Sequence, residues 1–323
     1  MKPLVIVIAD SATADQGDIS VWQGLAALGE VRCFPRMTPT EVVQKCQDAD
    51  AVLTNKVLFD AAVLSHLPKL RYLGVTATGT NVVDLPEAAR RGIVITNVPS
   101  YTHTSVAQMV LALVLHFTQG VSIHSQRVKA GDWARAKDFC FLVQPIHELA
   151  GKRALILGLG TIGQAVSRGF EALGMQVLAA TVPGSAPKAG RVSLETALPD
   201  ADVVTLHCPL TAATREMVDA GFLARMKPGA ILINTARGGL VDENALVATL
   251  KSGRLLGVGL DVLSVEPPKP HHPLLDPNAS YADRVVVTPH IAWATDQARG
   301  RLVSESVANV LAWARGEARN QVA

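Results

Sequence analysis

Three residues that lie far apart in this 323-residue chain, Arg237, Glu266 and His290, are of types that together can handle a small anion. An arginine offers a planar fork of donors that grips a carboxylate through two hydrogen bonds and polarises a neighbouring carbonyl, which a lysine does less specifically. A histidine gives or takes a proton near neutral pH. A carboxylate beside it favours the charged imidazolium. Each residue alone also has a plain reading: a surface ion pair for the arginine, packing for the histidine, and a solvated loop charge for Glu266 next to Pro267 and Pro268. Their placement is what joins them. Residues 230–234 form an apolar run that leads into Thr235-Ala236-Arg237-Gly238-Gly239; residues 255–260 end at Asp261, with Glu266 in the loop beyond; residues 285–288 lead into Pro289-His290. In open α/β sheets ligands collect past the carboxyl ends of strands, and chemically active titratable groups gather there.

The second reactant is written into residues 153–163, Arg-Ala-Leu-Ile-Leu-Gly-Leu-Gly-Thr-Ile-Gly. A short apolar run breaks at Gly158, and a helical pattern resumes at Thr161 and continues to Leu173. Gly158 permits the turn, Gly160 lets the backbone approach a pyrophosphate, and Gly163 lets the helix pack closely on its strand. The helix N-terminus, through Thr161 and Ile162, presents N–H groups to phosphates. Leu173-Gly174 closes the helix and residues 175–180 read as the next parallel strand. An acidic residue about 20 positions past the glycines normally binds the ribose hydroxyls of NAD. Here that position is Thr181, and no Asp or Glu occurs between Glu171 and Glu195. With Ser185 and Lys188 just beyond and no arginine at the strand end, both NAD(H) and NADP(H) stay open. A dinucleotide site with an arginine, a histidine and a carboxylate on one sheet suits hydride transfer to a 2-oxo acid: Arg237 orients the substrate and His290 supplies the proton.

The remaining chain must build the sheets that carry these groups. An apolar content of 49% over 323 residues supplies core for two domains. Thirty basic against twenty-eight acidic residues give a net charge of +2, and with no basic run this argues against nucleic-acid or anionic-membrane partners. Residues 2–10 are too brief for a signal peptide, and no stretch approaches the ~18 apolar residues of a membrane span, so the expected location is the cytoplasm. Cys33, Cys46, Cys140 and Cys208 form no Cys-x-x-Cys pair and read as buried free thiols. His271 and His272 lie in a proline-rich loop, and no metal is assigned to them. Residues 5–9, 31–34, 51–54, 71–75 and 93–96 read as buried strands alternating with helices. One helix is announced by Thr38-Pro39-Thr40-Glu41, another covers residues 84–91, and a strong amphipathic helix over 101–120 is expected to cross between domains. Residues 121–150 lack clean periodicity and read as an arm that meets a second subunit. Strands follow at 203–206, 230–234, 255–260 and 285–288, and a helix over 295–315 closes the chain.

Over nearly its whole length the chain resembles the D-2-hydroxyacid dehydrogenase family. The resemblance rests on Gly158-Leu159-Gly160-Thr161-Ile162-Gly163, His207-Cys208-Pro209-Leu210-Thr211, the long run from Asn234 to Glu243, Leu260-Asp261-Val262 with Glu266-Pro267, and Thr288-Pro289-His290-Ile291-Ala292. Within the family it is most similar to the bacterial glycerate dehydrogenase or hydroxypyruvate reductase branch, through Thr54-Asn55-Lys56-Val57, residues 76–81, Gly131-Asp132-Trp133 and Phe139-Cys140-Phe141. Two positions depart from the family pattern: Thr181 replaces the ribose-binding acid, and Gln108 stands where a glutamate is common.

The resemblance implies two doubly wound parallel-sheet domains, with a Rossmann nucleotide domain (99–292) inserted into a flavodoxin-like substrate domain (1–98 plus 293–323). It also implies a cleft that closes over substrate and a dimerisation arm at about 120–150. By the same similarity Arg237, Glu266 and His290 are the catalytic set. Ala77, Thr78 and Gly79 give backbone N–H groups to the substrate carboxylate. Lys56 follows the 51–54 strand and so also lies at a carboxyl end, where it reads either as a further substrate contact or as a solvated lysine. The cofactor contacts are the glycine turn, Thr181, Cys208, Pro209, Thr214, Thr235, the Ala236 carbonyl, Asp261, His290 and Ala292. The expected activity is hydride transfer between NAD(H) or NADP(H) and a small 2-hydroxy or 2-oxo acid, hydroxypyruvate or glyoxylate, in a homodimer. Two other readings use the same fold: a nucleotide-sensing binding protein without enzymatic activity, and a dehydrogenase of formate or phosphite.

Overall fold

Apolar runs of three to five residues bounded by turn residues are too short to be helices, and in this chain they pair side by side as parallel strands. The computed structural model describes residues 2–322. The chain divides into two compact units, with junctions after Tyr101 and after Trp293.

The first unit holds β1 (Leu4–Ile8), β2 (Gly29–Cys33), β3 (Ala51–Thr54), β4 (Tyr72–Val75) and β5 (Val94–Thr96), in the order β2-β1-β3-β4-β5, all parallel. Its core gathers Val7, Val52, Leu73 and Ile95 from the strands with Val42, Leu64 and Ala88 from the helices. Each fully buried Val, Leu or Ile is worth roughly 1.5–3 kcal/mol. The helix Pro39–Lys45 starts with a complete capping box: Thr38 accepts from the Glu41 N–H and Glu41 accepts from the Thr38 N–H. Asp84 caps Leu85–Arg90 by accepting from the Glu87 N–H at 3.0 Å. The last helix, Asp296–Ala314, is capped by Thr295 and lays Trp313 against Tyr72 of β4, ring centroids 4.9 Å apart.

The second unit holds β6 (Arg153–Leu157), β7 (Gln176–Ala180), β8 (Val203–Leu206), β9 (Ile231–Asn234), β10 (Gly257–Leu260) and β11 (Val285–Val287), again all parallel, in the order β11-β10-β9-β8-β6-β7. At the β6 turn Gly158 has a φ of +103°, and a Cβ at Gly163 would lie 2.1 Å from the Gly158 carbonyl oxygen. Only glycine fits both places, and the helix Thr161–Ala172 can start directly above the strand.

Three expectations are corrected. The long helix spans His103–Gln119 and lies wholly within the second unit, so it does not cross between the two. The arm region opens with a further helix, Val121–Lys129, which shows no periodicity because none of its residues is buried. Cys140 is exposed and Cys33 only partly covered, leaving Cys46 and Cys208 as the buried thiols. Among the described residues, no single helix is long and apolar enough to cross a membrane.

Candidate functional site

Asp261, at the carboxyl end of β10, organises the loop that carries His290. It is 1% exposed, and both its oxygens are engaged. Oδ1 accepts from the Thr288 hydroxyl at 2.5 Å and the Ile291 N–H at 2.9 Å, and Oδ2 accepts from the Ala292 N–H at 2.8 Å. Burial pushes its carboxyl above the usual range, against the pull of these bonds. Between them His290 adopts a φ of +55°, a left-handed conformation that costs a non-glycine residue of order 1 kcal/mol or more. The Asp261 bonds on either side hold it there, and the Trp293 indole N–H donates to the His290 carbonyl at 2.9 Å. His290 Nδ1 then meets Glu266 Oε2 at 2.6 Å, a short, charge-assisted distance. Glu266 Oε1 accepts from the Leu263 N–H at 3.1 Å, which turns the carboxylate toward the ring. With Nδ1 engaged, Nε2 is the nitrogen left to exchange a proton with a substrate.

Arg237 follows β9 on a loop clamped by Asn234. The buried Asn234 side chain donates to the Arg237 carbonyl at 2.9 Å and accepts from the Ala236 N–H at 3.0 Å. The next residue ties this loop to the one bearing Glu266. A Cβ at Gly238 would lie 1.9 Å from the Leu263 carbonyl carbon, so the two backbones are in contact. From the other side Glu243 accepts from the Ser264 N–H and hydroxyl, both at 2.8 Å, and meets His272 Nε2 at 3.1 Å. The Arg237 side chain is exposed, and its Nη1 donates to the Ala236 carbonyl at 2.7 Å. The sheet thus joins His290 directly to Glu266 and brings the Arg237 loop against the segment just before Glu266. Asn234, Glu243 and Thr288 carry this geometry, and sequence reasoning assigned them no role.

The nucleotide turn offers what a dinucleotide needs. The helix after it has no side-chain cap at Gly160, and a Cβ there would meet nothing within 4 Å. The helix N–H groups at Thr161 and Ile162 are therefore approachable. Next to Arg237, the Thr235 hydroxyl oxygen is buried without a hydrogen-bond partner among the described residues, an open position for a polar ligand group. Thr214 accepts from the Thr211 N–H and donates to the Pro209 carbonyl, each at 2.8 Å, and so shapes the turn at Cys208-Pro209. Burial pushes the Cys208 thiol up to about 11 and His207 down to about 3, so neither carries charge near neutrality. At the end of β7, the Thr181 N–H donates to the Val192 carbonyl at 3.1 Å, and Val192 bridges to Ala180. This pairing sets Arg191 next in chain to the residue that accepts the Thr181 N–H. The absence of an arginine in the strand-end sequence concealed it.

The first unit holds the other four expected residues. Its loop after β4 has its carbonyls tied down: Thr76 accepts from the Asn55 side chain at 2.6 Å, Ala77 from the Val98 N–H at 3.0 Å, and Thr78 from the Asn97 side chain at 2.7 Å. Among the described residues the N–H groups of Ala77, Thr78 and Gly79 donate to nothing. Three successive amides are therefore left open to an acceptor while the carbonyls of the same loop are bound elsewhere. Lys56, after β3, is exposed.

The model of the D-isomer specific 2-hydroxyacid dehydrogenase NAD binding domain matches residues 111–292. A glycerate dehydrogenase of Methylorubrum extorquens is 42% identical over 285 residues, 88% of this chain and 89% of its own length. A hydroxypyruvate reductase of Blautia hydrogenotrophica is 40% identical over 324 residues, covering 98% of this chain and 99% of that one. Among solved structures, the NADPH-dependent glyoxylate/hydroxypyruvate reductase of Sinorhizobium meliloti, in complex with NADP and malonate, superposes with a TM-score of 0.83 at 29% identity, covering 100% of this chain and 97% of that one. With the histidine, carboxylate and arginine loops gathered on a dinucleotide-type sheet, and with relatives aligned along almost the entire chain, the protein belongs to the D-isomer specific 2-hydroxyacid dehydrogenase family.

Proposed function

We propose that this dehydrogenase reduces a small 2-oxo acid, hydroxypyruvate or glyoxylate, to the corresponding 2-hydroxy acid. The observation that carries this reading is the His290–Glu266 pair at 2.6 Å on a loop braced by Asp261. When bound, the reduced nicotinamide supplies a hydride to the carbonyl carbon. His290 Nε2 gives its proton to the carbonyl oxygen, and Glu266 stabilises the imidazolium until that transfer. Arg237 binds the carboxylate and polarises the carbonyl. The Ala77, Thr78 and Gly79 amides hold the substrate carboxylate, and Lys56 adds positive charge. In the oxidation direction His290 takes the hydroxyl proton back.

Gly158, Gly160, Thr161, Ile162 and Gly163 would hold the pyrophosphate, and Thr235, the Ala236 carbonyl, Asp261 and Ala292 would line the nicotinamide end. At the adenosine end the neutral Thr181, with Arg191 nearby, supports acceptance of a ribose 2′-phosphate as well as a 2′-hydroxyl, so both NADH and NADPH are donors in this reading. The exposed apolar residues of the arm, Val121, Trp133, Phe139 and Leu142 among them, support a homodimer.

A panel of 2-oxo acids with NADH and with NADPH, followed at the nicotinamide absorbance, tests the proposal. Turnover of hydroxypyruvate or glyoxylate is the expected result. Tight nucleotide binding with no turnover across the panel would instead point to a nucleotide-sensing binding protein.

A further inference from the structure

We infer that Asp10 is a positioning residue for substrate: its carboxylate holds the turn that carries Lys56 and, through Asn55, the loop that presents the Ala77–Gly79 amides. The inference rests on the substrate-binding role proposed above for those residues.

The topology points to this position. In the first unit the chain passes from β1 outward to β2 on one side, while β3, β4 and β5 lie on the other. The crevice of such a sheet opens beyond the carboxyl ends of β1 and β3, where its strand order reverses. Asp10 lies two residues past the end of β1, and Asn55 is the first residue after β3. Asp10 Oδ1 accepts from the Asn55 N–H at 2.7 Å, and Oδ2 accepts from the N–H groups of Lys56 at 2.6 Å and Val57 at 3.3 Å. Three consecutive amides converging on one carboxylate form an anion nest. Here the chain fills the nest with its own side chain.

The contacts continue from there. Asn55 is 6% exposed, and its side-chain amide donates to the Thr76 carbonyl at 2.6 Å. The Thr76 N–H and hydroxyl both donate to the Thr54 carbonyl, at 2.7 and 3.2 Å. One carboxylate therefore sets both the backbone of Lys56 and, one step further, the start of the amide cradle. Its negative charge is spent on N–H groups, so it orders a site for an anion with reduced repulsion of that anion. A residue that merely linked β1 to β3 would contribute to stability alone, and the two roles separate in kinetics.

The test is Asp10→Asn, which keeps the shape and turns one acceptor into a donor facing the amides. The expected result is a KM for the 2-oxo acid raised about tenfold, from hydrogen bonds to a charged group lost, with kcat changed less than about threefold. Nucleotide affinity, read by quenching of protein fluorescence, should equal that of the wild type. Lys56→Ala should also raise KM, and the double variant should be no worse than the poorer single one, because Asp10 acts through Lys56. Additive effects, or a wild-type KM in Asp10→Asn, would overturn the inference. If Asp10→Asn does not fold, Asn55→Ala breaks the link to Thr76 alone, and an unchanged KM there refutes the relay. Calorimetric binding of oxamate, an unreactive 2-oxo acid isostere, separates this idea from the dehydrogenase reading. Oxamate held by a wild type that shows no turnover, and held more weakly by Asp10→Asn, would sink the activity and leave the positioning role standing.

Discussion

In the first unit the loop after β4 ties its carbonyls to Asn55, Asn97 and Val98 and leaves the N–H groups of Ala77, Thr78 and Gly79 without an acceptor among the described residues. In the second unit the loops after β9, β10 and β11 do the reverse. There Asn234 and Asp261 take up the backbone groups, and side chains are put forward: Arg237, Glu266 and His290. Both sheets are open and parallel, and both use the ends of their strands, yet one offers backbone and the other side chain. The proposed chemistry accounts for the difference. Holding a carboxylate requires only fixed N–H dipoles, which any residue but proline supplies, whereas moving a proton requires a side chain that can give one up and take it back. The second unit should therefore be sensitive to side-chain identity and the first mainly to backbone position.

The largest expected effect is at His290. His290→Ala removes the proton donor and should lower kcat by about 10²–10⁴-fold while an unreactive substrate analogue still binds. A kcat within tenfold of wild type would show that another group or water provides the proton. Arg237 comes next. Arg237→Ala should cost on the order of 10²–10³ in kcat/KM, since two charge-assisted bonds to the substrate are lost. Arg237→Lys should recover only a minor part, because an ammonium cannot reproduce the two parallel bonds. Full recovery by lysine would mean that charge alone matters there, and the contrast between the units would weaken.

Much of this arrangement is legible in the sequence because burial leaves periodic traces. Val7, Val52, Leu155 and Leu232 sit in apolar runs whose length excludes helices, and Gly158 and Gly163 mark a turn that only glycine satisfies. Thr38 and Glu41 announce a cap that is local by nature. What stays hidden falls into two physical kinds. Val121–Lys129 buries no residue, so its helical turn imposes no pattern on side-chain type. The other kind is long-range hydrogen bonding: Asp10 with Asn55, Asp261 with Ala292, and the bridge that pairs Ala180 with Val192 and so locates Arg191. Each joins residues separated by at least a loop, and no spacing rule records them. The left-handed backbone of His290 belongs to this kind too, since the Asp261 bonds impose it.

Glu266 should show a smaller effect than His290 or Arg237. Glu266→Gln keeps a hydrogen bond to Nδ1, which now meets Oε2 at 2.6 Å, but removes the negative charge beside the ring. The value of kcat should fall roughly tenfold, with KM changed less. Steady-state rates measure both. A kcat equal to that of the wild type would reduce Glu266 to a residue that only orients the ring.

The smallest effect is expected at Thr78, and it tests the contrast from the other side. Its hydroxyl donates to the Val98 carbonyl at 3.0 Å, away from the N–H that the cradle offers. Thr78→Ala therefore leaves all three amides in place, with their carbonyls still bound by Asn55, Val98 and Asn97. Losing the hydroxyl bond should lower stability by about 1 kcal/mol, visible as a drop of a few degrees in Tm. KM for the 2-oxo acid should rise less than about threefold, and kcat should not change. A tenfold rise in KM would mean that the Thr78 side chain itself touches substrate, and that the first unit, like the second, works through side chains.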